Sequence, residues 1–158
     1  MKRAVVLLVY VVGCQFDLPE VGLTAKGCPT EYAPLVGAPA GHVYQRAPSS
    51  LSWVQQFVYC RSRSDRTYLA VPNDATELMN LYMLAGAPFW VGIHDQRIEG
   101  TYVDVASGLP ATFLPWAPGE PDNLGSLGTG NGDCVASTTD FFDDSCAIPR
   151  QAVCECAP

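Results

Sequence analysis

The sequence predicts an α+β domain stapled by disulfides, on three observations. Two segments with capping residues and helical spacing of apolar side chains come first, between residues 51 and 86. Short β-rich runs separated by Gly, Pro and Asp turns follow them. Seven cysteines stand in a chain of 158 residues, more than a reducing compartment would use without a zinc spacing. The length suits one domain. An apolar share of 48% against 16% charged is enough to bury a core and excludes a disordered chain. The 14 Gly and 13 Pro imply many turns, and 9 basic against 16 acidic residues give a formal charge of −7. That balance argues against nucleic acid, or an anionic membrane surface, as a partner.

The elements follow in chain order. Met1-Lys2-Arg3 is a positive start, and residues 4–13 are an unbroken apolar run. A bilayer needs about 20 apolar residues, so this run reads as a signal peptide over 1–13 rather than a span. Its end, Val11-Val12-Gly13-Cys14, resembles the lipobox of bacterial lipoproteins. That resemblance implies cleavage before Cys14, acylation of Cys14, and a lipid-anchored tether over 14–27, with the membrane engaged through the lipid alone. Gln15 stands where an Asp would mark inner-membrane retention, so the implied location is a bacterial envelope, at the outer membrane or cell surface. The domain itself is expected over 28–158.

The first helix is expected after Pro48, capped by Ser49 or Ser50, with Leu51, Val54, Phe57 and Val58 on one face and Cys60 near its end. The second begins at Asp74, where Asp74 and Glu77 form a capping pattern. Its face is Leu78, Leu81, Tyr82 and Ala85, and Gly86 with Pro88 stops it. Strands are expected at 89–93, 101–105, 134–137 and 152–154. The long stretch from about 106 to 133 is unusual unless it carries function.

Six short motifs then occur in order: Trp90-Val91-Gly92-Ile93, Glu99-Gly100-Thr101-Tyr102, Trp116-Ala117-Pro118-Gly119-Glu120-Pro121-Asp122-Asn123, Asp133-Cys134-Val135, Phe142-Asp143-Asp144 and Val153-Cys154-Glu155. Together they resemble the C-type lectin-like domain over roughly residues 28–156. The resemblance implies that family's fold: two helices, short antiparallel sheets and a long ligand-binding loop. Trp90 and Trp116 fall on its core positions, and Trp53 also reads as core.

Six cysteines besides Cys14 leave the connectivity open on spacing alone. The resemblance implies Cys60 with Cys154 and Cys134 with Cys146. Cys28 and Cys156 remain, and because the family's termini lie side by side the expectation is that they pair. Zinc is disfavoured, since Cys154 and Cys156 are one residue apart with no His nearby.

Six acids lie between Gly119 and Cys146 (Glu120, Asp122, Asp133, Asp140, Asp143 and Asp144) with no Lys or Arg among them. Such crowding needs full solvation or a hard cation such as Ca²⁺, which takes six to eight oxygens. In the resembled family the Pro of the Glu120-Pro121-Asp122 motif is cis. Carried over, the ligands are Glu120, Asp122, Asn131, Asp143 and Asp144, with Glu120, Asp122 and Asp143 also meeting sugar hydroxyls. Asn131 stands in because the family's loop Glu falls on Gly132. The sequence departs further in having Asp143 where the family has Asn. The implied function is Ca²⁺-dependent binding of glycans. The alternative is a metal-free lectin-like scaffold that binds a surface protein. No catalytic role is expected: His42 and His94 are not matched with a nucleophile, and nothing separates an acid from a base among the carboxylates.

Overall fold

The computed structural model describes residues 24, 27–126, 128 and 131–158. The signal peptide, Cys14 and most of the tether lie outside the described residues. Seven strands and two helices alternate: β1 (Val43–Arg46), α1 (Trp53–Arg61), β2 (Thr67–Leu69), α2 (Ala75–Ala85), β3 (Phe89–His94), β4 (Val103–Asp104), β5 (Cys134–Ser137), β6 (Phe141–Asp144) and β7 (Gln151–Cys156). The sheet runs β1-β7-β3-β5-β6, with β2 also on β7 and β4 also on β3. β7 is parallel to β3, and the other pairings are antiparallel. Every residue of β7 is buried, as expected of a strand flanked on both edges.

α2 forms as its sequence dictates. Asp74 caps it by accepting from the amides of Thr76 and Glu77 at 2.8 and 2.9 Å. Gly86 ends it at φ 72°, a left-handed conformation that costs Gly nothing. Leu78, Leu81 and Ala85 enter the core. Glu77 does not return to Asp74. It accepts instead from the backbone and side-chain nitrogens of Asn73, at 2.8 and 3.0 Å, and from the Tyr44 hydroxyl.

α1 departs from expectation. Its cap is Ser52, which forms a reciprocal box with Gln55, and Leu51 instead bridges Arg150 ahead of the helix. The buried face is Trp53, Gln56 and Cys60, while Val54 and Val58 are 50% and 58% exposed. The polar Gln56 outcompetes the valines because its amide donates to Ser49 O and Arg150 O at 2.8 and 2.9 Å, tying the helix to the β6–β7 turn. Trp53 donates to Val91 O, and Trp90 to Leu51 O and Ile148 O, so both indole N–H groups are satisfied inside the core.

Three disulfides are present: Cys60–Cys154, Cys134–Cys146 and Cys28–Cys156. The first pins α1 to β7 across 94 residues of chain. The third joins the domain's start to its end, across 128. β1 pairs with β7 between those two ends, so Cys28 and Cys156 meet where the termini run together. Beneath β1, Glu77 and Glu155 are fully buried and both approach the Tyr44 hydroxyl. Glu155 accepts from His42 Nδ1 at 2.5 Å and from the Val71 amide at 3.1 Å. Burial pushes the Glu155 carboxyl up, and these donors partly offset it.

A double Cys60→Ala/Cys154→Ala variant should lose about 2–5 kcal/mol of unfolding free energy. Urea titration followed by tryptophan fluorescence reads this, and an unchanged midpoint would show that the bridge contributes nothing.

Candidate functional site

The site is assembled where the long loop is stitched to β6. Phe141 is fully buried, with Trp116 and Phe113 packed edge-on at ring distances of 6.0 and 6.1 Å. Its backbone accepts from Ala117 and donates to Pro115, at 2.9 and 2.8 Å. These two bonds deliver the following residues, Glu120-Pro121-Asp122, to the end of β6. The Glu120–Pro121 peptide is cis, as the resemblance implies.

Adjacent residues of a strand face opposite ways, and Asp143 and Asp144 meet different fates. Asp143 turns toward the loop and accepts from the amides of Asp122 at 3.0 Å and Asn123 at 2.7 Å. Asn123 sits at φ 53° and its side chain accepts from Gly132 N at 2.9 Å, which closes the loop on itself. Ligand oxygens of Glu120, Asp122 and Asp143 lie within 4.8 Å of one another. A Cβ at Gly132 would fall 2.5 Å from Asp143 Oδ2, so the place of the family's loop Glu is filled by Asp143 itself.

The electrostatics show the crowding. Burial raises the Glu120 carboxyl to about 7, and the neighbouring Asp143 and Asp122 carboxylates add to the rise. Glu120 Oε2 is buried without a hydrogen-bond partner. Three converging carboxylates, one with an unsatisfied oxygen, form an all-oxygen donor set that fits a hard cation such as Ca²⁺.

One expected ligand, Asp144, is committed elsewhere. Asp144 turns away and is neutralised: it accepts from Ser126 N, Ser126 Oγ and Ser145 N at 2.6, 2.6 and 2.7 Å and pairs with Arg150. Burial alone would raise its carboxyl, but these donors outweigh burial and hold it below the usual range. The Arg150 guanidinium also lies over Trp90 and Phe142, at 5.3 and 5.0 Å. One of the six acids between 119 and 146 therefore does find a basic partner, brought in from just outside that window. Asn131 donates to Asp133 at 3.2 Å, and no hydrogen bond joins it to the three carboxylates.

A second acidic group escaped the sequence reading. Asp95 Oδ1 is buried without a partner, while Oδ2 accepts from Gly100 N at 2.8 Å. Burial raises the Asp95 carboxyl, and Asp133 raises it further. Glu99 is raised as well, with Asp95 and Asp133 contributing. The four-residue spacing of Asp95 and Glu99 around a turn was the available signal.

The Lectin C-type domain family model matches residues 49–156, more than half of the chain. The chain belongs to the C-type lectin domain family. Among curated relatives of this lectin domain, mouse C-type lectin domain family 10 member A is 31% identical over 147 residues, covering 90% of this chain and 46% of that protein. Fruit-fly C-type lectin 37Db is 29% identical over 120 residues, covering 68% and 77%. The chain thus spans about half the length of the first of these. Among solved structures, the mouse scavenger receptor C-type lectin carbohydrate-recognition domain superposes with a TM-score of 0.67 at 20% identity, covering 82% of this chain and 97% of that one. Both a Ca²⁺-dependent and a calcium-independent type II antifreeze protein also share the lectin fold, with TM-scores of 0.66 and 0.68 at 20% and 16% identity. They cover 82% of this chain in each case, and 100% and 94% of their own. The fold alone is therefore neutral about metal.

Because the folded-state value of Glu120 lies above its ordinary 4.5, the protonated form stabilises the metal-free domain, and that contribution fades as pH rises from about 4.5 through about 7. Carboxyl-detected NMR in EDTA should show Glu120 titrating near 7, and the stability difference from Glu120→Gln should shift toward the Gln variant across that window. A midpoint at the ordinary carboxylate value would refute the crowding.

Proposed function

We propose that this domain is an exported, non-catalytic, carbohydrate-binding module whose ligand site is completed by Ca²⁺ at Glu120, Asp122 and Asp143. The observation that carries it is the convergence of these three carboxylates, together with a buried Glu120 oxygen that has no hydrogen-bond partner. Glu120, Asp122 and Asp143 would hold the divalent cation, whose charge would relieve their mutual repulsion in place of a proton on Glu120. The chemistry such an ion would supply is Lewis-acid attraction for the oxygens of a pair of vicinal hydroxyls. The chain's own part is to fix the carboxylates. Asp143 is held by two backbone amides, and Asp122 Oδ1 accepts from the Leu124 amide at 2.8 Å, which leaves acceptor capacity on each group for sugar O–H donors. With three carboxylates, the hydroxyls supply every proton in those contacts. Asp144 is not part of this ligand set, and the side-chain oxygen of Asn131 is kept in the proposal as a further donor.

Relatives and neighbours named as lectins and carbohydrate-recognition domains support the sugar reading. Three disulfides support passage through an oxidising compartment, and membrane attachment through Cys14 belongs to the same proposal. The bacterial envelope finds no support in the relatives named above, which are animal proteins. The alternative, metal-free binding of a surface protein, is favoured by one observation: Gly132 brings no carboxylate where the family's loop Glu would stand.

The affinity expected for an extracellular module of this kind is about 10⁻⁴–10⁻³ M. Millimolar Ca²⁺ should raise the melting temperature, EGTA should reverse the rise, and glycan-array binding should vanish with EGTA and with Asp143→Ala. A melting curve indifferent to Ca²⁺, with no array binding in its presence, would favour the metal-free alternative.

A further inference from the structure

Asn73, Asn80, Asn123 and Asn131 are the asparagines of the chain, and Asn131 alone is followed by glycine. The successor matters because its backbone nitrogen can attack the asparagine carboxamide, and a Cβ on it obstructs the approach. Asn131 is exposed and lies in no helix or strand, just ahead of β5. Asn80, by contrast, lies within α2, and the Asn73 side chain is committed to Glu77.

The fold fixes this pair of residues. A Cβ at position 132 would fall 2.5 Å from Asp143 Oδ2 and 3.2 Å from Asn123 Cα, so no bulkier successor that would shield the Asn131 carboxamide fits there. The same packing restrains the reaction. Gly132 is buried, and its N–H donates to Asn123 Oδ1 at 2.9 Å. Asn123 is held in turn, its amide donating to Asp143 at 2.7 Å. On the outer side the Asn131 carboxamide donates to Asp133 at 3.2 Å. The group to be attacked is therefore exposed, and the attacking nitrogen is held back by its hydrogen bond to Asn123.

We propose that Asn131–Gly132 is a self-modification site, where the Gly132 nitrogen, released from Asn123, closes on the side-chain carbonyl carbon of Asn131 and expels ammonia. The Gly132 N–H proton passes to solvent, the carboxamide C–N bond breaks, and the leaving nitrogen takes its proton from water. A second water opens the cyclic imide at either carbonyl and leaves an aspartate or an isoaspartate at position 131. The net change is water consumed and ammonia released, with no oxidant or reductant. The product exchanges a donor to Asp133 for a carboxylate facing it, and the isoaspartate also lengthens the loop by a methylene. The consequence for metal rests on the Ca²⁺ reading above: the side-chain oxygen of Asn131, a neutral further donor there, becomes a charged one beside three crowded carboxylates.

The test is prolonged incubation of the folded domain in mildly alkaline EDTA buffer, followed by mass spectrometry of proteolytic peptides. The readout is replacement of NH₂ by OH at position 131, with isoaspartate resolved chromatographically. Conversion is expected at Asn131 ahead of the other asparagines, and none at that position in Asn131→Gln. Asn123→Gly keeps the φ of 53° accessible and removes the acceptor, so it should speed conversion about fivefold, the scale of one hydrogen bond. Asn123→Asp keeps an acceptor and should not speed it. In the unchanged chain, conversion across temperatures should track hydrogen exchange at the Gly132 amide, which tests the restraint without any variant. The proposal is overturned if position 131 of the folded chain does not convert, if Asn123→Gly, folded by its melting curve, converts no faster, or if conversion is independent of Gly132 exchange. Once converted, the domain should gain more in melting temperature from millimolar Ca²⁺ than before. Indifference of both forms to Ca²⁺ would count against the metal reading, while the mass and rate data judge the modification by themselves.

Discussion

Asp143 is the point at which a long loop becomes part of a sheet. Its carboxylate accepts from the amides of Asp122 and Asn123, and the loop's other attachments follow from that hold. Asn123 closes back on Gly132, and Glu120 is left beside the Asp143 carboxylate with an oxygen that nothing satisfies. Two backbone amides stabilise one carboxylate, but they do not neutralise three. The domain resolves the remainder by keeping a proton on Glu120 until about neutrality. A proton is the smallest cation that serves, and the proposal is that a divalent ion with oxygen preference takes its place.

The neighbouring Asp144 shows what the same residue type does when a counter-charge is supplied. Arg150 reaches it from the β6–β7 turn and packs its guanidinium over Trp90 and Phe142. The pair, with Ser126 and Ser145, fixes the base of the loop from the opposite side of β6. One strand thus carries a carboxylate paired with an arginine and one clustered with other carboxylates side by side. What separates them is the alternation of the strand and the arrival of one arginine, not their chemistry.

Much of this was legible in the sequence. α2 was readable because Asp74, the apolar spacing and Gly86 agree with one another. The resemblance carried two pairings, and the closeness of the termini carried Cys28–Cys156. Glu120, Asp122 and Asp143 were named together and do come together. α1 misled because its valines mark the exposed side, whereas Gln56 is buried by hydrogen bonds to distant backbone that no periodicity reveals. β1, β2 and β6 are three or four residues each, and the acids of β6 read as loop. Asp144 reads as a metal ligand in the sequence because its counter-charge, Arg150, stands outside the acidic window and is brought to it by the β6–β7 turn. Asp95 is hard to read because, although Glu99 stands only four residues away, Asp133 and the burial of Asp95 come only through the fold.

The central claim is that a proton on crowded carboxylates is exchanged for a divalent cation. Calorimetric titration of the intact domain with Ca²⁺, in buffers of different ionisation enthalpy, counts the protons released. The account predicts release of close to one proton per ion a pH unit below the Glu120 midpoint and almost none a unit above it. Binding with no pH-dependent proton release, or no binding at millimolar Ca²⁺, would contradict it.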